Sequence, residues 1–211
     1  MAGLESIYST YMIKVLSFQR SCKSYFRIYK DRSPNVEICC DTCNRKMHKH
    51  GRYYRSVTTK QETIEIPVYR WLCPSCRTTV SLLPDFLVPW ARIATYLREA
   101  AVIRKMRGFS YGIIAQEITA LRTRVSRCTV KRWWKLHLCK ASKLSLWLAK
   151  QLVLSGCTED LLLHYPNVVN ADPTETVRWL QKLIPLYSRK PTTVRGTWSF
   201  LHTLLPVKHL L

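Results

Sequence analysis

Apolar and polar residues alternate along two stretches near the middle of the chain. Residues 51–58 are rich in residue types that favour strands, and residues 63–70 place Ile64, Ile66 and Val68 on one face. Pro67 has no amide hydrogen to give a neighbouring strand, so we expect the second stretch to lie at the edge of a sheet. The pattern predicts a β-hairpin.

Beyond these strands the apolar spacing changes to that of helices. Apolar residues at helical spacing run to Gly108, where we expect a first helix to end. Ser110 and Ser126 are suited to cap a second and a third helix. In the third helix Val130 and Trp133 are three residues apart and should share the buried side.

The two ends of the chain are patterned as well. The N-terminal segment fits either a helix beginning near Leu4 or a strand beginning at Ile13, followed by a short helix at Ser21–Tyr29. The C-terminal segment predicts three helices, at 142–155, from an Asp172 cap onward, and at about Thr197–Leu205.

Two pairs of cysteines flank the predicted hairpin. Cys40 and Cys43 form one C-x2-C pair, and Cys73 and Cys76 form a second pair after 29 intervening residues. A two-residue gap lets both thiolates of a tight turn point at one centre. Two such turns complete a tetrahedral shell of four sulfurs, which suits Zn2+ and leaves no open position for catalysis. The sequence therefore predicts a structural zinc ribbon.

Three nearby residues compete as ligands. Cys39 adjoins Cys40, and His48 and His50 follow closely. Only Cys40 makes the two-residue gap with Cys43, so we expect Cys39 to be a packed or idle thiol and the histidines to lie at the surface or against phosphate. A redox role for either pair is disfavoured because no βαβ pattern surrounds it.

The charge predicts a polyanionic partner. The 211 residues contain 34 Lys and Arg against 13 Asp and Glu, for a formal net charge of +21. Such an excess favours nucleic acid or an anionic membrane surface. No apolar run is long enough to span a bilayer, and the N-terminus, with Glu5, does not resemble a secretory signal. Nine cysteines without an export signal favour reduced thiols or metal ligands. We therefore expect a cytoplasmic, nucleoid-associated protein.

The positive charge is concentrated in the helical region. Residues 85–143 contain thirteen Lys and Arg against three Asp and Glu, and no carboxylate lies between Glu117 and Glu159. The helices capped by Ser110 and Ser126 follow the pattern of a helix-turn-helix, although the connection between them is about five residues longer than the usual turn.

The helix after Ser126 is the predicted recognition helix. Arg127 and Lys131 lie one turn apart, where they can reach base edges in the major groove of DNA. Four further cations are expected to contact phosphates, namely Arg122, Arg124, Arg132 and Lys135. Ser126 and Thr129, in the first turn, complete the predicted DNA contacts.

The motifs resemble a known kind of protein. Cys40-x2-Cys43, His50-Gly51-x-Tyr53-x-Arg55, Cys73-Pro74-x-Cys76 and Leu83-Pro84-x-Phe86-x-Val88-Pro89 resemble the zinc-ribbon start of bacterial insertion-sequence transposases. They are more similar still to a bacterial family of unknown function that joins such a ribbon to a helix-turn-helix. The resemblance covers about residues 12–140, and it implies DNA binding with the four cysteines of the two pairs as metal ligands.

A transposase catalytic domain is not expected. Those enzymes need three acidic residues that hold Mg2+ ions on a sheet, spread over a much longer stretch of chain. The carboxylates that follow the helix-turn-helix lie within 17 residues, and they are Glu159, Asp160, Asp172 and Glu175. Asp172 and Glu175 also fit a helix capping box. We therefore expect no enzymatic activity.

Together these observations predict an α+β fold, a small β zinc ribbon followed by a mainly helical region that contains a helix-turn-helix. The expected segments are an N-terminal strand or helix segment at 1–38, the ribbon at 39–84, the DNA-binding region at 85–143 and a helical extension at 144–211.

The predicted function is that of a zinc-stabilised DNA-binding protein, transposase-related or an accessory or regulatory protein of a mobile element. Its expected partner is double-stranded DNA, and a homodimer would suit two half-sites. No membrane partner and no small-molecule substrate are expected. One alternative is an RNA-binding or ribosome-associated ribbon that stacks bases on Tyr53, Tyr54, Tyr69 and Trp71. Another is a protein-interaction adaptor that uses the helical C-terminus.

Overall fold

The computed structural model describes residues 7–10, 13–16, 18, 21–119, 124–156 and 172–188, and these form a mixed α+β structure. The strands are β1 (Ile7–Thr10), β2 (Ile13–Leu16), β3 (His48–Thr58), β4 (Thr63–Leu72) and β5 (Thr79–Pro84). The helices are α1 (Cys22–Tyr29), α2 (Thr95–Met106), α3 (Tyr111–Thr119), α4 (Arg127–Leu154) and α5 (Pro173–Ser188). Described residues through Leu97 belong to one compact unit and those from Arg98 onward to a second.

The first unit is built on a five-stranded sheet with the order β1-β2-β5-β4-β3. Strands β3 and β4 form the predicted hairpin, registered from His48 opposite Leu72 to Thr58 opposite Thr63. The turn closes through Thr59, whose hydroxyl donates to the Glu62 carbonyl at 2.8 Å and accepts from the Glu62 amide at 3.1 Å. The predicted hairpin is confirmed.

Pro67 lies in an interior strand, so the prediction of an edge strand is wrong. The reason it is tolerated is local, because β5 pairs with β4 only over Tyr69–Leu72. The Pro67 carbonyl accepts a hydrogen bond from the Tyr25 hydroxyl at 3.2 Å. Because the amide and carbonyl of one strand residue point to the same side, the missing amide hydrogen of Pro67 faces away from β3 and no ladder bond is lost.

Helix α1 packs its aromatic side against the sheet. It begins at the predicted Ser21, whose hydroxyl accepts a hydrogen bond from the Ser24 amide at 3.1 Å. Tyr25 is fully buried, with its ring edge-to-face against Phe18 and Phe86 at centroid distances of 5.2 and 5.6 Å. These rings form the centre of the core of the first unit.

The two readings of the N-terminal segment are resolved in favour of strands. Residues 13–16 form β2, which pairs in parallel with β5 and places Val15 and Leu16 in the core. The alternative helix beginning near Leu4 does not form over residues 7–10 and 13–16, because both stretches are strands that pair with each other.

The caps predicted for the helical unit are present. The Ile113 amide donates to the Ser110 hydroxyl and the Thr129 amide donates to the Ser126 hydroxyl, each at 3.2 Å. Thr119 closes the long connection between α3 and α4. Its hydroxyl accepts from the Val125 amide at 3.2 Å and lies 3.3 Å from the Val125 carbonyl.

Helix α4 is longer than predicted and runs without interruption over 28 residues. The border drawn between residues 143 and 144, and the helix start expected at 142, both lie inside it. No Gly or Pro interrupts this stretch, and the Ser145 hydroxyl donates back to the Ser142 carbonyl at 2.9 Å, so neither serine ends the helix.

Helix α5 packs along α4 and begins at the predicted cap. The Thr174 amide donates to the Asp172 carboxylate at 3.0 Å. The helix expected at about Thr197–Leu205 lies outside the described residues.

A buried histidine lies on the inner side of α4. Val130 and Trp133 are buried as predicted, and the Nδ1 atom of His137 lies 2.6 Å from the Trp133 carbonyl. Burial lowers the pKa of His137 to about 4. The Arg98 guanidinium lies 5.4 Å from the centroid of the Trp133 ring, which fits a cation–π contact.

His137 should make the stability of the helical unit depend on pH. In the unfolded chain His137 is protonated below its ordinary pKa of 6.5. In the folded unit it is protonated only below about pH 4. The free energy of unfolding should therefore fall as the pH decreases through this window. We expect urea unfolding to show a smaller decrease between pH 7 and pH 5 for His137→Gln than for the parent protein. Equal decreases would contradict the assignment.

The buried face of the hairpin should be sensitive to truncation. Ile66 is fully buried, so Ile66→Ala should lower the free energy of unfolding by about 2–5 kcal/mol. Ile113→Ala is the matched control, because Ile113 is 46% exposed. Urea unfolding followed by circular dichroism measures both. Equal effects of the two variants would contradict the description of this core.

Candidate metal centre and basic helix

The first cysteine pair forms a tight turn before β3. The Asn44 amide donates to the Cys40 carbonyl at 2.8 Å, and the Cys40 amide donates to the Arg45 carbonyl at 2.9 Å. Asn44 has φ of 55°, a left-handed conformation that asparagine tolerates better than most residues. This geometry turns Cys40 and Cys43 toward the same side.

The second pair repeats the geometry between β4 and β5. The Arg77 amide donates to the Cys73 carbonyl at 3.0 Å, and the Cys73 amide donates to the Thr78 carbonyl at 2.9 Å. Arg77 has φ of 56°, matching Asn44 in the first turn. Two equivalent turns, one before the hairpin and one after it, therefore face each other.

The four sulfurs converge as predicted from the spacing. The Sγ atoms of Cys40, Cys43, Cys73 and Cys76 all lie within 4.8 Å of one another. The Sγ atoms of Cys43 and Cys73 are 3.5 Å apart, far beyond the roughly 2.05 Å of a disulfide bond. Cys40 and Cys73 are buried, and Cys43 and Cys76 are half-buried. The cluster is arranged to hold a metal ion.

The electrostatics of the cluster fit a metal cation. Backbone amides of Cys43 and Thr42 donate to the Cys40 sulfur and lower the pKa of that thiol to about 6. Hydrogen bonding to the Cys43 sulfur, together with burial, raises the pKa of Cys76 to about 12. Four adjacent thiols cannot all ionise without added positive charge, and a bound divalent metal ion supplies it.

The competing ligands stay outside the cluster. Cys39 is exposed, and His48 and His50 are exposed on β3. None of the three belongs to the group of converging sulfurs. Among the residues considered as ligands, the structure therefore brings together only the set with two-residue gaps.

Lys14 supports the first cysteine turn, a role that the sequence pattern did not predict. It is only 7% exposed, and its Nζ atom donates to the Cys39 carbonyl at 2.8 Å and to the Asp41 carboxylate at 3.0 Å. The only signal in the sequence was a lysine between apolar residues of β2. Lys14 ties β2 to the turn that carries Cys40.

The predicted recognition helix exposes its cations. Arg127, Lys131, Arg132 and Lys135 are exposed on α4, Arg124 is exposed before it, and Thr129 is half-buried. Ser126 acts as the N-cap. Arg122 lies outside the described residues. Lys131, Arg132 and Lys135 lie on the side of α4 away from Val130 and Trp133, and Arg127 lies at the exposed start of the helix.

These cations have no acidic partner within the described part of the chain. Helix α4 contains no carboxylate along its length. In the helical unit Glu117 of α3 pairs with Arg104 of α2 at 3.0 Å. The exposed side of α4 is therefore a surface of uncompensated positive charge.

The fold and the cysteine cluster together define an α+β protein with a candidate metal site of four cysteines. A family model described as a domain of unknown function (DUF6431) matches residues 40–133, which span the cysteine cluster, α2, α3 and the first turns of α4. Comparisons with curated proteins and with solved structures find no significant match. None of the described helices has the length and apolarity needed to cross a membrane.

The cluster predicts a sharp difference between Cys43 and the nearby Cys39. Cys43→Ser should lose the bound metal and the folded hairpin, because three thiolates and a hydroxyl hold such an ion far more weakly. Cys39→Ser is the control and should keep both, since Cys39 lies outside the cluster. Elemental analysis of the purified protein and its circular dichroism measure the two effects. Full metal content in the Cys43 variant would contradict the ligand assignment.

Proposed function

We propose that this chain is a zinc-stabilised protein that binds double-stranded DNA. In this proposal it is related to transposases, or serves a mobile element as an accessory or regulatory protein, and has no catalytic domain of its own. It acts in the cytoplasm at the nucleoid. The observation that carries the proposal is the carboxylate-free, cationic side of α4 beside a capped helix start.

Zinc is the proposed ion because of the donor set. Four thiolates favour Zn2+ among common metal ions, and Zn–S bonds of about 2.3 Å place the sulfurs of a tetrahedron about 3.8 Å apart. The observed sulfurs, all within 4.8 Å of one another, need only small shifts to reach that spacing. A closed shell of four thiolates supports a structural role for this ion rather than a catalytic one.

The first turns of α4 support recognition of duplex DNA. Arg127 and Lys131 are exposed one turn apart near the start of the helix, where a recognition helix reads base edges. Arg132 and Lys135 flank them and can neutralise phosphates. An arginine so placed can make a bidentate contact to guanine.

The pairing of α3 with α4 supports a helix-turn-helix with a lengthened turn. Ile114 and Ile118 of α3 are buried, and α3 packs against α4. The two hydrogen bonds between Thr119 and Val125 draw the ends of the long connection together.

Two of the four aromatic residues expected to stack on bases in the RNA-binding alternative are buried. Tyr69 and Trp71 are only 8% and 1% exposed, so neither can stack on a base without unfolding the sheet. The alternative role as a protein adaptor retains one supporting observation. Leu146, Val153 and Leu154 are exposed toward the end of α4, where a second copy of the chain or another protein could pack.

The DNA proposal makes a testable prediction about the position of the contacts. The double variant Arg127→Ala, Lys131→Ala should weaken binding to a mixed-sequence duplex at least about tenfold. The slope of log affinity against log salt should also become shallower, because two cations that help to displace counterions from the duplex are lost. Fluorescence anisotropy over a salt series measures both quantities.

The matched control removes two positive charges from the same helix, far from its start. Lys143 and Lys150 are exposed further along α4, so their replacement by Ala gives the same change in net charge. Equal losses for the two double variants would indicate attraction by net charge alone and would contradict recognition by the start of α4.

A further inference from the structure

Strand β3 places two exposed tyrosines on opposite faces of the sheet. Tyr53 and Tyr54 are 38% and 49% exposed, and adjacent strand residues point to opposite sides. Tyr54 shares its face with Arg52, whose guanidinium lies 5.5 Å from the Tyr54 ring centroid. We call this side the Tyr54 face and the other side the Tyr53 face.

The Tyr53 face includes the buried Val68 and Ile66, but its end at Gly51 is open and is flanked by an arginine. The register pairs Tyr53 with Val68, Gly51 with Arg70, and Arg70 with Ser81, so these residues share one face. Arg70 is exposed. A Cβ atom built on Gly51 would have no other atom within 4 Å. Gly51 therefore leaves space between Tyr53 and Arg70 that a flat group can enter.

A second exposed aromatic residue, Trp90, precedes a segment that is hydrogen-bonded to β3. The Arg55 guanidinium donates to the Ala91 carbonyl, and the Thr58 amide donates to the Arg92 carbonyl at 2.7 Å, which fixes residues 91 and 92 beside β3. Trp90, immediately before them, is 79% exposed. Its φ of 57° is a conformation that bulky residues rarely adopt, and such residues cluster at binding sites.

Carboxylates are segregated from the Tyr53 face. Strands β3, β4 and β5 contain a single acidic residue, Glu65. Glu65 is registered opposite Ser56, which places it on the Tyr54 face. Arg70 and Arg92 are exposed, and Arg55 is half-buried at the junction. The Tyr53 face and the segment 90–92 beside β3 thus bring exposed aromatic rings and arginines to one region of the first unit.

We propose that Tyr53, Trp90, Arg70 and Arg92 form a binding site for single-stranded nucleic acid. Rings stack on base faces, which are accessible only when the bases are unpaired, and the arginines contact the adjoining phosphates. This site goes beyond duplex binding by α4 and does not depend on it. The shared chemistry of unpaired bases and phosphates covers both DNA and RNA strands.

Fluorescence anisotropy with labelled oligo(dT) and oligo(U) of about 12 nucleotides tests this site. Tyr53→Ala and Trp90→Ala should each weaken binding of the preferred strand about tenfold, because each removes one stacking partner. Tyr53→Phe, which keeps the ring, should retain the parent affinity. Tyr54→Ala is the matched control on the opposite face of the same strand and should change affinity less than about twofold. Metal content and circular dichroism verify the fold of each variant.

The outcomes separate this site from the duplex-binding proposal. Binding of oligo(dT) that depends on Tyr53 and survives the double variant Arg127→Ala, Lys131→Ala supports the site, even if duplex binding proves absent. Stronger binding of oligo(U) than of oligo(dT) with the same dependence on Tyr53 supports it for RNA. Absence of binding to both strands, or equal losses in the Tyr53→Ala and Tyr54→Ala variants, would overturn it.

Discussion

The convergence of four sulfurs at the open end of the sheet is the constraint on which the first unit depends. Strand β3 is exposed from His48 to Tyr54, so this strand itself adds little apolar burial beside the cysteine turns. Coordination of one cation by four thiolates would add to the burial of Cys40, Cys73 and Trp71 and join turns about thirty residues apart in the chain. Lys14, bonded to the first turn, connects the same point to β2.

The acidic side chains near the two proposed nucleic-acid surfaces lie outside those surfaces. Glu65 lies on the Tyr54 face, and Asp41 is paired with Lys14 beside the first cysteine turn. Among the described elements, β3, β4 and β5 add no carboxylate to the Tyr53 face, and α4 contains none. Each surface is therefore suited to phosphate for a local reason, over and above the net charge of the chain.

Local signals predicted much of this fold correctly. The two-residue cysteine gaps, the serine caps at Ser110 and Ser126, and the alternation in β4 each depend on neighbouring residues alone. Features that depend on distant partners were missed. Pro67 is tolerated in an interior strand because β5 pairs with β4 only from Tyr69 onward. The length of α4 was also missed, although the reason is local, since nothing after residue 143 breaks the helix. Lys14 and Trp90 gain their importance only from strands brought beside them.

X-ray absorption spectroscopy at the zinc edge, on protein purified without added metal, tests the central claim most directly. The account predicts one zinc ion per chain with a single shell of four sulfurs at about 2.3 Å. A shell that includes nitrogen or oxygen ligands, or a folded protein without bound metal, would contradict it.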